Sequence, residues 1–266
     1  MKPFFLRLIC LALLPLLLIQ CKSEPSTKET DSSSPMTTPK EEVPPPPKIL
    51  EAKKISMKPV LNGIGNDYCW NEATWHPIDQ LWIGEAYTPD DFTGRYKMAW
   101  SEDKLYILAE ITDDVLKDIR PDGLDEYWDD DCLEVFIDED HSGGNHQYNY
   151  NAFAYHISLD YKVVDIGMDS LPHYYNDHIK SARVTKGNTY IWELAMTIYD
   201  DTYRRDEKNT PVTLSAGKEI GFAIAYCDND KNYRRENFIG SVYVPGEDKN
   251  QGWIDAGIFG TVRLVE

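Results

Sequence analysis

Short runs of alternating apolar and polar residues follow one another along most of the chain after residue 55. The clearest are RYKMAWS, KLYILAEI, CLEVFID, TYIWELAMTI and IGFAIAYC, separated by turn-forming Gly, Asn or Asp. Val, Ile, Tyr, Phe and Trp are abundant in them, and a two-residue period is typical of half-buried strands. Only Asp114 to Arg120 and Asp200 to Asp206 offer room for a helical turn. The spacing predicts an all-β fold, a single jelly-roll-like β-sandwich of two antiparallel sheets.

The N-terminus has a different character. Lys2 and Arg7 flank the start of an apolar stretch, Leu8 to Ile19, which has the length of a signal-peptide core and is short for a transmembrane span. It ends in LLIQC, which resembles a bacterial lipobox and predicts cleavage before a lipid-carrying Cys21. Gln20 differs from the small residue usual before that cysteine, so an ordinary secretory signal is the alternative.

A polar segment follows. Residues 22–48 are rich in Ser, Thr, Pro, Glu and Lys and include four consecutive prolines, Pro44 to Pro47. Such a composition cannot bury enough apolar surface to fold and is typical of a semi-extended linker. We therefore predict a signal peptide over residues 1–20, a disordered tether over 21–50 and one folded domain over 51–266. The predicted location is the cell envelope, with a lipid anchor at the bacterial outer membrane or cell surface.

Charge and cysteine content limit the partners. The formal net charge of −18 excludes a nucleic-acid-binding surface, which needs a basic face, and leaves the N-terminal lipid as the only membrane contact. After removal of the signal peptide and lipidation, Cys69, Cys132 and Cys227 remain, which allows at most one disulfide in the monomer. Cys132 and Cys227 lie in strand-like runs, where they can equally be buried apolar residues.

The run WDDDCLEVFIDED concentrates acidic residues around a predicted strand. In CLEVFID, Leu133, Val135 and Ile137 point to one face and form the natural core side. Glu134 points to the other face between Cys132 and Phe136. A carboxylate at a strand centre is either solvated or held by hydrogen bonds. Glu134 is thus either an exposed surface acid or a recognition group.

Catalysis is not indicated. Asp131 and Glu134 would point to opposite faces of a strand, about 10 Å apart, which disfavours a glycosidase carboxylate pair. The chain also has no nucleophile elbow, zinc-protease helix motif or phosphate-binding glycine loop. We predict that the protein is not an enzyme.

The loop after this strand has spacing found in calcium loops. Asp138, Asp140 and Ser142 stand at alternate positions and Gly143 follows, as in the first half of a D-x-D-x-S-G loop. The twelfth position is Asn149 rather than a bidentate Glu, so a classical EF-hand is excluded. A structural calcium site is one interpretation, and a solvated Asx turn is the other.

Trp128 precedes the acidic strand and has two interpretations. A tryptophan most often packs in a core. Beside free acids and amides, however, it offers a flat apolar platform for a sugar ring, while carboxylates and amides bind the hydroxyls. This combination suggests carbohydrate binding.

The ordered motifs resemble those of the family 9 carbohydrate-binding modules. The matching segments are KLYILAEITDDVL, WDDDCLEVFIDED, QYNYN, AIAYCDND and WIDAGIFGTVRL, and they cover most of residues 60–266. The resemblance implies a sugar-binding β-sandwich with structural calcium, in which two tryptophans clamp a sugar. It also implies sugar-binding roles for Trp128, Glu134, Asn149 and Asn151. The implied function is non-catalytic binding of poly- or oligosaccharides, in the context of polysaccharide catabolism.

Two departures from the family pattern matter. Asn149 stands where the family has arginine, which removes a bidentate donor. The second clamp tryptophan has no clear match, so Phe238, Tyr243 and Trp253 are the candidates, although the closing motif favours a structural role for Trp253. The alternatives are a structural or adhesive sandwich without sugar, or a haem-binding sandwich, for which no spacing selects two axial ligands among Met98, Met196, His156 and His178.

Overall fold

The computed structural model describes residues 48–231 and 233–266. The predicted signal peptide, Cys21 and nearly all of the tether lie outside the described residues. Within the described ranges, no helix has the length and apolar character needed to cross a membrane.

The described chain is built almost entirely of strands. They are β1 (Ile49–Lys54), β2 (His76–Ile78), β3 (Gln80–Ile83), β4 (Phe92–Ser101), β5 (Lys104–Asp113), β6 (Cys132–Asp138), β7 (Phe153–Ser158), β8 (Val163–Ile166), β9 (Pro172–Tyr174), β10 (Ile179–Lys186), β11 (Thr189–Met196), β12 (Glu219–Asp228), β13 (Asn237–Gly240) and β14 (Gly260–Val265). Two single-turn 3₁₀ helices, Tyr68–Asn71 and Ala256–Ile258, complete the regular structure of these residues. The prediction of an all-β domain is confirmed.

The strands form one continuous curled sheet in the order β10-β11-β5-β4-β1-β14-β12-β6-β7-β8-β9. In addition, β13 pairs with β12 and β3, and β2 pairs with β4. Most neighbours are antiparallel, but β1 runs parallel to both β14 and β4. β1 therefore joins the two layers of the sandwich and begins at Ile49, ahead of the predicted boundary at residue 51.

The two layers close over a common core. β6 contributes Leu133, Val135 and Ile137, the three residues predicted to face the core. They belong to the same buried cluster as Ile107 of β5 and Leu194 of β11, which lie in the other layer. Two packed inner faces with alternating inward residues are the arrangement that a sandwich requires.

The two segments with room for a helical turn contain no helix. In the segment 114–120, the backbone N–H groups of Lys117 and Arg120 donate to the carboxylates of Asp131 and Asp130. In the segment 200–206, Asp200 accepts from the N–H of Thr202. Carboxylates near the backbone compete for the N–H groups that a helix would use.

Candidate functional site

A cavity of about 400 Å³ opens on the outer face of the β12-β6-β7-β8 layer. Its volume lies within the range of small-ligand sites. It is lined by Tyr127, Trp128, Glu134, Tyr148, His156, Ile166, Arg235, Asn250 and Trp253. Strands supply Glu134, His156 and Ile166, whereas the aromatic and amide groups come from loops. A rigid floor with walls formed by loops is a common arrangement for a binding site.

Strand register places the polar groups of the floor. Glu134 of β6 lies opposite His156 of β7 on one side and opposite Ala225 of β12 on the other. In the same row, Ala225 lies opposite Gly240 of β13, against which the indole of Trp82 packs. The indole of Trp82 fills the room that Ala225 and Gly240 leave above the sheet, so this side of the floor is closed.

Glu134 and His156 form a close buried pair. Glu134 Oε1 lies 3.0 Å from His156 Nε2, and the two residues are 2% and 7% exposed. Burial, and then Cys227, raises the pKa of Glu134 well above its usual value, although Arg235 opposes the shift. Burial and Arg235 lower the pKa of His156 to about 3. Both groups are therefore neutral near neutral pH, and the carboxyl proton can lie between them.

Arg235 supplies the positive charge of the cavity. Its guanidinium lies 4.0 Å from the centroid of Phe238, donates to Cys227 Sγ at 3.2 Å and donates to Asn250 Oδ1 at 3.2 Å. No carboxylate of the described residues lies within 4.0 Å of it. The guanidinium is thus held in place by neutral acceptors and stays available to a ligand.

Aromatic rings line the walls of the cavity. Trp128 is 38% exposed, and its ring meets Tyr127 edge-on at 5.0 Å between centroids. Tyr148 is 42% exposed, and its ring centroid lies 6.4 Å from that of Trp253. Tyr148 also has a φ of 59°, a region that a tyrosine adopts only at a cost of about 1–3 kcal/mol. The loop therefore holds this ring at the edge of the cavity against an unfavourable backbone conformation.

The structure brings some of the predicted sugar-binding residues together and not others. Trp128 and Glu134 line the same cavity. Asn149 lines an adjoining pocket that shares Tyr148, His156 and Trp253 with this cavity, whereas Asn151 lines neither of the two. Asn149 Nδ2 donates to the carbonyls of Asn145 and Gln147, and Asn151 Nδ2 donates to Gly143 O. QYNYN is a turn rather than a strand, because β7 begins only at Phe153. Both asparagines therefore stabilise the loop.

Besides Trp128, Glu134 and the candidate Trp253, six residues line the cavity that were not predicted as ligand-binding groups. They are Tyr127, Tyr148, His156, Ile166, Arg235 and Asn250. The sequence indicates His156 only as a possible haem ligand, and it is the pairing of β7 with β6 that places it opposite Glu134. Of the three candidates for the second tryptophan's place, Trp253 lines the cavity. Phe238 is buried beneath Arg235, and Tyr243 is outside the lining.

The aspartates before β6 are buried rather than solvated. Asp131 accepts from the N–H groups of Lys117 and Asn229, and Asp129 accepts from that of Arg235. These bonds tie the β5–β6 loop, which carries Trp128, to the loop that carries Arg235. The acidic run thus positions two groups of the cavity.

A cluster of aspartates lies at the ends of β5, β6 and β12. Its members Asp113, Asp131 and Asp228 are at most 1% exposed, and Asp230 is close by. Burial and then Asp113 raise the pKa of Asp131 to about 9 and that of Asp228 to about 8. Asp228 Oδ2 has no hydrogen-bond partner among the described residues. Asp113, Asp228 and Asp230 each bring a carboxylate oxygen within 4.8 Å of the others, and such a set of oxygens fits a hard cation.

The loop predicted to bind calcium keeps its residues together. Asp138 Oδ2 accepts from Gly143 N at 2.7 Å, and Asp140 Oδ1 accepts from Ser142 N at 3.0 Å. Asp138 Oδ1 is buried without a partner among the described residues. Burial raises the pKa of Asp138, so this oxygen also fits a cation.

The family assignment follows from a comparison with known proteins. A family model described as "Carbohydrate family 9 binding domain-like" matches residues 61–266. The chain belongs to this family. The predicted family is therefore confirmed, and the matched range includes every residue that lines the cavity.

Two curated enzymes are similar in sequence to this chain. The chain is 25% identical to the exoglucanase XynX of Acetivibrio thermocellus over 80% of its own length and 17% of that protein. It is 26% identical to the endo-1,4-beta-xylanase A of Thermotoga maritima, over 82% of its own length and 18% of that protein. The chain thus spans less than a fifth of the length of these enzymes.

Solved structures share the fold. A carbohydrate-binding module of family 9 from Caldicellulosiruptor kristjanssonii, in complex with cellotriose, superposes with a TM-score of 0.59 at 18% identity, over 82% of this chain and 94% of that one. A putative carbohydrate-binding protein from Bacteroides uniformis superposes with a TM-score of 0.54 at 10% identity, over 82% of this chain and 99% of that one.

Proposed function

We propose that the protein is a non-catalytic carbohydrate-binding module that holds a sugar in the cavity between Trp128 and Trp253. The observation that carries the proposal is that two tryptophans from separate loops line one cavity with four polar side chains, in a chain of this family. Flat apolar rings contact the C–H faces of a pyranose, and fixed polar groups contact its hydroxyls.

The polar groups offer complementary hydrogen bonds. Arg235 and Asn250 supply donors, and Glu134, whose proton is held toward His156, supplies a carboxyl oxygen that can accept. Because Glu134 is neutral, it binds a hydroxyl without the desolvation cost of a buried charge. The polar groups select the orientation of the sugar, and the rings supply most of the contact area.

We propose a β-linked glucan or xylan oligosaccharide as the ligand class. The similar sequences are named as an exoglucanase and xylanases, and one structural neighbour was solved with cellotriose. The lipid anchor at Cys21 predicted from the sequence would place the module at the cell envelope, where such polysaccharides are captured.

We propose no catalysis by this chain. Glu134 is the only carboxylate among the described residues that line the cavity. The nearby Asp165 accepts from the N–H groups of Ala154 and Ile166, so its oxygens are held by the backbone. The two-carboxylate mechanisms of glycoside hydrolysis need a second acid about 5–10 Å from the first, across the sugar.

We propose calcium as a structural ion. The aspartate cluster formed by Asp113, Asp131 and Asp228, and the loop with Asp138 and Asp140, each contain a buried carboxylate oxygen without a partner among the described residues. Bound calcium would supply the positive charge that lets these carboxylates ionise together.

Calorimetric titration with glucose, cellotriose and xylotriose tests the binding proposal. We expect heat with at least one of them, and Trp128→Ala and Trp253→Ala to weaken binding at least about tenfold, or about 1.4 kcal/mol. Trp75→Ala is the matched control, because Trp75 contacts Arg95 and Lys97 outside the cavity. No heat with any of these sugars or with a broad glycan panel would contradict the proposal.

A further inference from the structure

Three different metal-binding side chains meet at the base of the cavity. Glu134, His156 and Cys227 each offer one ligand atom, and these atoms lie within 4.8 Å of one another. Glu134 Oε1 is 3.0 Å from His156 Nε2, and Glu134 Oε2 is 3.9 Å from Cys227 Sγ. They come from the adjacent strands β6, β7 and β12, so the sheet fixes their relative positions.

The hydrogen bonds of His156 show which of its ring nitrogens carries the proton. His156 Nδ1 lies 3.3 Å from Ala154 O, and a carbonyl oxygen can only accept, so Nδ1 carries the proton. The Nε2 lone pair then points at a carboxylate oxygen of Glu134, and two acceptors at this distance need a proton or a cation between them. Histidines that bind metals usually donate their other N–H to a carbonyl or carboxylate in this way.

Cys227 lies beside a fixed positive charge. Arg235 Nη1 lies 3.2 Å from Cys227 Sγ. A cysteine beside an arginine is the environment in which a thiol becomes a metal ligand.

The charges of the three ligands also match that of a divalent cation. A thiolate and a carboxylate together carry two negative charges, which one divalent cation neutralises, while the charge of Arg235 is the same with and without the ion. One nitrogen, one sulfur and one oxygen suit zinc and related ions rather than calcium or magnesium, which prefer oxygen alone. Glu134 and His156 line the cavity, which gives the ion access.

We propose that Glu134, His156 and Cys227 form a binding site for a divalent cation of the zinc class at the base of the cavity. Three protein ligands leave one coordination position open, and it faces the cavity, where water or a ligand oxygen completes the set. The site stands on these three side chains and does not depend on the proposed sugar binding.

Zinc titration of the full chain tests the site. The protein is stripped of metal, kept reduced with a phosphine and held in excess calcium, so that the aspartate clusters do not compete. We expect one tightly bound zinc per chain by elemental analysis after gel filtration. Cobalt(II) in place of zinc should produce a thiolate-to-metal charge-transfer band. Cys227→Ser and His156→Gln should each weaken zinc binding by at least about 100-fold, and Cys227→Ser should abolish the band.

Cys132→Ser is the matched control, because this buried thiol faces Cys227 across the strands but is not one of the three ligands. It should retain the zinc and the cobalt band. Thermal unfolding of every variant shows whether it is folded. An absence of zinc binding by the folded wild type, or equal losses in Cys132→Ser and Cys227→Ser, would overturn the proposal. Sugar titration of the metal-free protein is a separate measurement, so that failure of either proposal is recognised by itself.

Discussion

Glu134 is a buried acid at the centre of an antiparallel strand, a position that is stable only with a hydrogen-bond partner or a cation. His156 and Cys227 meet that need from the two neighbouring strands, and Arg235 donates in turn to Cys227. The result is a compact polar group on an otherwise apolar floor, formed beside Cys132 and Phe136. At this scale, the identity of each side chain decides what the cavity can bind.

Arg235 provides a test at the scale of single residues. Arg235→Lys keeps the charge but loses the planar fork that reaches both Asn250 and Cys227, so we expect sugar affinity to fall at least about tenfold. The measurement is calorimetric titration. The control is Arg263→Lys, because Arg263 pairs with Glu219 outside the cavity and should leave affinity unchanged. Equal affinity of Arg235→Lys and wild type would remove Arg235 from the site.

Among the elements, β11 has a role that its pattern does not show. Glu193 of β11 is completely buried and accepts from Asn62 N, Gly63 N and Trp70 Nε1. It thereby holds the segment between β1 and β2 against the outer side of the sheet. The close approach at Gly63 has no room for a side chain, because a Cβ there would lie 2.6 Å from the backbone of Arg183.

Removal of the Glu193 carboxylate therefore tests how this segment is held. Glu193→Ala leaves two buried donors and one partly buried donor without an acceptor, and we expect the free energy of unfolding to fall by about 3 kcal/mol. Urea unfolding followed by tryptophan fluorescence measures the change. Glu110→Ala on the neighbouring β5 is the control, since its pair with Arg95 is partly exposed and should contribute about 1 kcal/mol or less. Similar losses for both variants would contradict the role of Glu193.

Over the whole molecule, 45 acidic residues against 27 basic ones make electrostatic repulsion a general feature. Part of this charge is buried in the aspartate cluster formed by Asp113, Asp131 and Asp228. A carboxyl group whose pKa is raised in the folded state stabilises the fold while it is protonated. That stabilisation is complete when the pH is below 3.8, the ordinary pKa of an aspartate. It is lost as the pH rises through the pKa of the carboxyl group in the folded protein.

The folded protein loses the stabilisation from protonated Asp131 and Asp228 between about pH 4 and pH 9, because their pKa values are about 9 and about 8. Without calcium, we expect the melting temperature to fall as the pH rises through this window. Calcium should replace the protons and raise the melting temperature at about pH 8 by roughly 5 °C or more, with a smaller effect at about pH 5. Calorimetric scans with calcium or with a chelator measure this. A calcium effect that does not grow with pH would contradict the assignment.

Much of the fold follows from local pattern. The apolar alternation predicted β6 over its whole length, and the runs RYKMAWS and KLYILAEI lie within β4 and β5. β1 was not predicted, because ILEAKK has only one deeply buried residue, Ala52, and no alternation of its own. Its place as a parallel strand between β14 and β4 comes from long-range pairing.

What the sequence determined by itself is the family, the β-rich fold and the face to which Glu134 points, because these depend on order along the chain and on the two-residue period of a strand. What only the tertiary structure decided is the composition of the cavity. His156, Arg235 and Trp253 come from distant segments, and register and loop packing bring them to Glu134. A local pattern carries no information about such distances, since they arise only when the strands have paired.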